Sequence, residues 1–238
     1  MERTNGIALW RQIERTLAEE IHGPAYRPGD RLPTEAELAA RFGVNRHTLR
    51  RALSALQEAG LVSIEQGRGT FVHADVMEYQ IGKRTRFSEN VLHSRRQPGG
   101  RLLRAQEVPA GAETARALGL RPGTPVLLLE MLREADGLPV SLAIHYFPKE
   151  RCAGLIEAYE HSGSITSALF SLGIKDYTRA QTRVTTRLPL GDEARLLRQA
   201  RSQPVLVSEG VNLDPDGLPL EYSVACFAGQ RVQFVFDT

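Results

Sequence analysis

The chain has 238 residues and a formal charge of +2, and 42% of its residues are hydrophobic. That suffices for one large or two modest packed domains, and it excludes a disordered chain, a fibre and a disulfide-stapled miniprotein. Two cysteines, Cys152 and Cys226, suit a reducing compartment; no apolar run approaches the ~18 residues of a membrane span, and the charged N-terminus is no signal peptide. A cytoplasmic protein with no membrane partner is expected.

Leu9, Ile13, Leu17 and Ile21 recur every four residues, which predicts an amphipathic helix over about 7–22. Gly23, Pro24, Pro28 and Gly29 break it. Thr34-Glu35-Ala36-Glu37 has the pattern of a capping box and opens a short helix to Arg41. Phe42-Gly43-Val44 is a tight turn, and Asn45 can cap a further helix that runs to about Ala59. Two short helices joined by a glycine-containing turn make a helix-turn-helix. Leu49, Ala52, Leu53 and Leu56 form the apolar stripe of the second helix, leaving Arg46, His47, Arg50, Arg51 and Ser54 on its other side. No acid falls between Leu38 and Gln57. Arg46 and Arg50, one turn apart, could each fork onto guanine O6 and N7, while Arg41 and Arg51 suit phosphate. Leu61–Ile64 and Thr70–Val72 flank Glu65-Gln66-Gly67-Arg68-Gly69, a hairpin whose basic tip could reach a minor groove. The plainer reading of an arginine-rich helix is a solvated surface. Cap, turn, polar face and wing together predict a winged helix-turn-helix that binds double-stranded DNA.

The runs Pro28-Gly29-Asp30-Arg31-Leu32-Pro33-Thr34-Glu35, Phe42-Gly43-Val44-Asn45-Arg46-His47-Thr48-Leu49-Arg50-Arg51-Ala52-Leu53 and Gly67-Arg68-Gly69-Thr70-Phe71-Val72 resemble the GntR-type bacterial transcriptional regulators. The resemblance implies a homodimer on a palindromic operator. It points to Asn45, Arg46, His47 and Arg50 on the recognition helix and to Gln66-Gly67 at the wing. Ala36 stands where some members place a DNA-contacting arginine, so that contact does not carry over.

Residues 1–73 are thus expected to form the DNA-binding domain, 74–83 a linker and 84–238 an effector-binding α+β domain. From Lys83 to Arg104 basic residues crowd around a single acid, Glu89. An apolar strand from Pro125 turns at Asp136-Gly137 and returns over Pro139–Phe147. The same plan recurs from Val205 through Asp216-Gly217 to Phe227, and both copies share Asp-Gly-Leu-Pro. Two related hairpins should therefore pair in one antiparallel sheet. Strands near Leu102–Val108, Tyr177–Arg187 and Val232–Phe236 would extend it, with helices at Phe87–His93, Ala112–Leu118, Ile165–Leu172 and Asp192–Gln199. Strand runs without parallel crossovers read as α+β.

Alternation places Ser141, Ala143 and His145 on one face, with Glu221 and Ser223 on the matching face of the second hairpin. Arg133 lies on the strand paired with the first, and Gln181 and Arg183 share a face of theirs. Polar groups on a face that should bury apolar ones suggest a ligand cavity. Arg84-Thr85-Arg86-Phe87-Ser88 could supply anion-binding groups beside it. Singly, each has a plainer reading: a surface arginine at 133, a core histidine at 145, a simple ion pair at 221, linker charges or DNA contacts at 84 and 86.

This half also resembles the ligand-sensing domain of HutC-type GntR regulators, with a chorismate-lyase-like fold, and within it the phosphonate-utilisation branch. The residues behind that are Arg84-Thr85-Arg86-Phe87-Ser88-Glu89-Asn90, His145-Tyr146-Phe147, Arg179-Ala180-Gln181-Thr182-Arg183-Val184 and Glu221-Tyr222-Ser223-Val224. The resemblance implies an effector pocket at Thr85-Arg86, Arg133, Arg183, Glu221 and Ser223, and a repressor controlled by a small anion such as a phosphonate. A sugar phosphate, or a carboxylate such as urocanate, is the alternative effector. An enzyme on the same fold is the competing class. The sequence holds no metal-ligand cluster and no nucleophile motif, so no metal and no cofactor are expected.

Overall fold

The structure is a computed structural model and describes residues 8–23, 25–65, 67–72 and 76–236. The chain divides into two compact units, Met1–Asp75 and Val76–Thr238.

In the first unit, α1 (Leu9–His22), α2 (Glu35–Phe42) and α3 (Arg46–Glu58) precede a hairpin of β1 (Val62–Glu65) and β2 (Gly69–Val72). Helices α2 and α3 begin where the sequence supplies a cap, whereas α1 starts after Ala8 without one. The Thr34 hydroxyl accepts from the Glu37 amide at 3.3 Å while the Glu37 carboxylate accepts from the Thr34 amide at 2.7 Å. Asn45 Oδ1 accepts from the Thr48 amide at 2.9 Å. Gly43, at φ 64°, makes the left-handed turn between α2 and α3. Ile13, Leu17, Leu38, Leu49, Leu53, Leu56 and Val62 close one core.

The second unit is built on a six-stranded antiparallel sheet in the order β4-β5-β6-β9-β8-β7. Its strands are β4 (Pro98–Pro109), β5 (Pro125–Ala135), β6 (Leu138–Pro148), β7 (Thr178–Arg187), β8 (Val205–Leu213) and β9 (Pro219–Ala228). The two Asp-Gly hairpins do pair, through β6 and β9, with His145 opposite Ser223 and Ala143 opposite Ala225. Helices α4 (Phe87–His93), α5 (Ala112–Leu118), α6 (Leu155–Ser162), α7 (Ile165–Ser171) and α8 (Glu193–Leu196) lie between strands. Leu155, Tyr159, Ile165, Ala168 and Leu169 from α6 and α7 pack on Leu127, Leu129, Met131 and Phe147 of the sheet. On the opposite face, Ala115 and Leu118 of α5 pack on Val126 and Tyr222.

Three expectations need correction. The stretch 74–83 is not all linker. Residues 73–75 lie outside the described residues, but Met77–Gln80 form a strand, β3, and Met77 and Tyr79 are buried. Strand β10 (Val232–Val235) does not extend the large sheet; it pairs in parallel with β3, Phe234 opposite Tyr79. The reason is aromatic packing: Tyr79, Phe227 and Phe234 form a triangle with ring centroids 4.9–5.9 Å apart. Helix α6 was not anticipated, and α8 is a single turn rather than the full stretch 192–199.

Asn90 on α4 fastens that helix to β3. Its Oδ1 accepts from the Gln80 amide at 2.6 Å, and its Nδ2 donates to the Gln80 and Arg86 carbonyls at 3.3 and 3.1 Å. Asn90→Ala strips these bonds from a buried position. It should cost about 1–3 kcal/mol, lowering the melting temperature of the second unit by roughly 3–10 °C. An unchanged calorimetric transition would contradict this role.

Candidate functional site

On α3 the apolar stripe faces inward and Arg46, His47, Arg50 and Arg51 are exposed. They differ in what holds them. Arg50 Nε donates to both oxygens of Glu35 on α2, at 2.9 and 3.2 Å. The Arg51 guanidinium lies 4.6 Å from the centroid of the Trp10 ring on α1. Arg46 and His47 carry no such anchor among the described residues. Arg41 is tied by both terminal nitrogens to the Glu20 carboxylate on α1 and lies over its neighbour Phe42. It therefore belongs to the packing of α1 on α2, which the sequence pattern did not reveal because Glu20 lies 21 residues away. Asn45 spends its side chain on the cap of α3. At the wing, Arg68 pairs with Glu65 and lies over Phe71. Gly67 holds φ 76°, and Gln66 lies outside the described residues. Gly69 is favoured by its backbone, whose φ of 124° is left-handed; a Cβ there would also sit 2.6 Å from Arg31 Nε and push that side chain aside.

The second unit holds a cavity of about 260 Å³ on one face of the large sheet. Of the expected residues, Thr85, Arg86, Arg133, His145, Glu221 and Ser223 line it. The antiparallel registers bring them there. Arg133 stands opposite Ser141 across β5 and β6, His145 opposite Ser223 across β6 and β9, and Asn212 opposite Glu221 across β8 and β9. Tyr79 of β3, Phe87 and Ser88 of α4, and Tyr177 beside β7 complete much of the wall.

Two expected residues are elsewhere. Arg84 is exposed and bonds Asp176 through Nε and Nη2, at 3.3 and 2.5 Å. Arg183 faces the opposite side of the sheet, opposite Glu209 and beside Gln181 and Tyr222. The cause is a bulge between Arg179 and Gln181, where Ala180 has no partner in β8. One extra residue reverses the alternation, so Arg179 faces the cavity and Gln181 and Arg183 do not. Arg179 is thus the arginine this strand gives to the cavity. Its guanidinium lies directly on Gly210 of β8, where a Cβ would come within 1.4 Å of Nη1. A glycine in mid-strand opposite an arginine-bearing strand was the available signal.

The charges in the cavity are arranged unevenly. Arg86 is compensated: it donates to Glu89 at 3.0 Å and to Asp176 at 3.2 Å, and lies over the Tyr177 ring. Bonding from Arg84 and its neighbours holds the Asp176 carboxyl down to about 2. Arg133 has no ion pair among the described residues; it lies 5.3 Å from the Phe87 ring centroid, and burial pushes its pKa below the ordinary guanidinium value. Arg179 likewise has no ion pair there, and its Nε is buried without a hydrogen-bond partner. The Glu221 carboxylate is buried and accepts from His145 Nδ1 at 2.5 Å and from Asn212 Nδ2 at 2.5 Å. Burial alone would raise its pKa. The hydrogen bonds from His145 and Asn212 and the field of Arg179 outweigh that and keep it below the ordinary carboxylate value.

The pattern of matches to known proteins follows the two units. Residues 9–72 match the bacterial regulatory proteins of the gntR family, and residues 93–233 match the UTRA domain. The chain belongs to the GntR family and carries a UTRA domain. An HTH-type transcriptional regulator of Rhizobium meliloti is 42% identical, covering 100% of this chain and 98% of that one. The HTH-type transcriptional repressor PhnF of Mycolicibacterium smegmatis is 32% identical, covering 87% and 84%. The crystal structure of PhnF from Mycobacterium smegmatis is similar with a TM-score of 0.66 at 30% identity, covering 95% of this chain and 98% of that one. This GntR protein is a DNA-binding transcriptional regulator. The reading as an enzyme falls away, because relatives that span the chain are regulators throughout. No helix among the described residues is long and apolar enough to cross a membrane.

The anchoring of the arginines separates their roles. Arg46→Ala should weaken duplex binding by roughly 1–3 kcal/mol and leave thermal stability unchanged. Arg41→Ala should cost up to about 1 kcal/mol of stability in the GntR unit and leave duplex affinity nearly intact. Calorimetry and fluorescence anisotropy on the two variants check both; a reversed pattern would refute the assignment.

Proposed function

We propose that this regulator is a homodimeric repressor that grips a palindromic operator and releases it when a small phosphorus-containing anion enters the UTRA cavity. The observation that carries this reading is the pair Arg133 and Arg179, both lining the cavity and neither ion-paired among the described residues. A half-buried guanidinium that makes no direct ion pair is costly unless an anion completes it. Planar, forked donors suit the oxygens of a phosphonate or phosphate. Thr85, Ser88 and Ser223 add hydroxyls beside them. The likeness to proteins named PhnF supports a phosphonate among such anions, and the relative named a repressor supports that sign of action.

On the DNA side, Arg46 and His47 at the start of α3 are assigned to base edges, with Arg50 beside them. Arg51 and the wing residues Gln66, Gly67 and Arg68 are assigned to backbone or minor groove. A two-fold symmetric protein would place two α3 helices in successive major grooves, so half-sites should lie about one helical turn apart. Effector control then requires that the anion bind one conformation of the dimer better than the other.

Thermal unfolding against phosphate, alkyl- and aminoalkylphosphonates, glucosamine 6-phosphate and urocanate tests the ligand class. At ~100 times its dissociation constant a ligand adds ~2.7 kcal/mol, a visible shift. The shift should come with phosphonates or phosphate and vanish in Arg133→Ala. It should vanish also in Gly210→Ala, whose new Cβ displaces the Arg179 guanidinium without touching its charge. A shift confined to urocanate would overturn the phosphorus-anion reading, and one confined to the sugar phosphate would move the regulator to another pathway.

A further inference from the structure

His145 is the group in the cavity whose chemistry is left open. Its Nδ1 is committed to the Glu221 carboxylate at 2.5 Å. That carboxylate is ionised and has no proton to give, so Nδ1 must carry the hydrogen. The other ring nitrogen, Nε2, is buried and has no hydrogen-bond partner among the described residues. In the neutral ring Nε2 is a bare acceptor, which repels an anion's oxygen. In the imidazolium it is a donor, which binds one.

The charges around the ring decide which form the empty cavity favours. Glu221 on β9 faces it with one negative charge, and Arg133 on β5 and Arg179 on β7 supply two positive ones. Arg86 of the strap before α4 is already balanced by Glu89 and Asp176. Tyr79, Cys152 and Tyr177 stay neutral near pH 7. Burial pushes Tyr79 on β3 and Cys152 before α6 up to about 12 and raises Tyr177 beside β7, and Tyr159 on α6 is a buried phenol. A neutral His145 leaves the empty cavity one positive charge in excess, whereas an imidazolium leaves two. Adding a dianion reverses the preference. With a neutral ring the filled cavity would be one negative charge in excess; with an imidazolium it is balanced, and Nε2 has its acceptor.

We propose that the cavity selects a fully ionised dianion and takes up one proton on His145 as the dianion binds. This rests on the anion-effector reading above and deepens it. The proton passes from solvent to Nε2, Nδ1 keeps its hydrogen on Glu221, and no other bond is made or broken. A monoanionic carboxylate balances the cavity with the ring neutral and takes up no proton. Effector response is then coupled to pH: affinity for a dianion should fall as pH rises, by up to about tenfold per unit once the unliganded ring is neutral.

Sulfate is the cleanest probe, because it carries no titrating proton of its own. Isothermal titration of the full chain with sulfate at pH 8, in two buffers of different ionisation enthalpy, counts the protons taken up. The expected result is an uptake approaching one per site, with methylphosphonate behaving likewise once its own titration is subtracted. His145→Gln retains an amide donor near the Nε2 position and should bind sulfate with no proton uptake and no pH dependence from pH 6 to 8. The two-buffer count on the unsubstituted chain carries the test if that variant does not fold. Binding with no proton uptake at any pH would overturn this proposal alone. No binding of either dianion would overturn it together with the anion-effector reading.

Discussion

The register between β6 and β9 is the constraint on which the second unit rests. With His145 opposite Ser223 and Ala143 opposite Ala225, the polar residues of both hairpins fall on one face of the sheet. A slip of one residue would send them all to the other face and bring Tyr146, Tyr222 and Cys226 into the cavity instead. The register is fixed from both sides. On the cavity face, Phe147 sits in the cluster with α6 and α7, while Phe227 sits against Tyr79 and Phe234. On the opposite face Leu142 and Cys226 pack with Leu132, Val205 and Leu197. Apolar residues at the ends of the same strands thus hold a polar patch between them. Once that patch is formed, the Glu221 carboxylate is locked by His145 and Asn212, and the guanidiniums around it are left to a ligand.

The same test, whether an arginine already has a carboxylate, sorts the basic residues in both units. Arg41 with Glu20, Arg84 with Asp176, Arg151 with Asp214 and Arg187 with Glu193 are parts of the scaffold. Arg46 on α3 and Arg133 and Arg179 in the cavity have no such partner among the described residues, and these are the positions where a polyanion or a small anion has something to complete. Arg50 is intermediate: its bond to Glu35 is exposed and exchangeable, and a phosphate or base edge can compete for it.

Much of this was legible in the sequence. Capping residues, the Gly43 turn and the two Asp-Gly hairpins are local signals, and the elements they mark formed where expected. The face shared by His145, Glu221 and Ser223 was legible because alternation is unbroken over 141–147 in β6 and 221–227 in β9, between the irregularities at Val140 and Leu220 and the strand ends. The misplacement of Arg183 has a definite cause: alternation was carried through the bulge at Ala180, and a bulge is invisible without its partner strand. Strand β3 went unread although Met77, Tyr79 and Ile81 alternate, because the residues around it looked like a connector. Its partner β10 lies more than 150 residues away, and only that pairing makes four residues a strand. The ion pairs of Arg41 and Arg84 are equally non-local. Helix α6 lies between Gly154 and Gly163, both left-handed, and its short apolar face of Leu155 and Tyr159 gave too weak a periodicity to stand out.

If an anion in the cavity controls DNA binding, linkage requires that operator and anion oppose one another by the same factor in both directions. The direct measurement is fluorescence anisotropy of a labelled operator duplex, selected from random sequence with this protein, titrated with and without saturating methylphosphonate at fixed salt. The account predicts weaker operator binding in the presence of the anion for the unsubstituted chain and no change for Arg133→Ala. Operator affinity unchanged by a phosphonate or phosphate that demonstrably binds the cavity would contradict it.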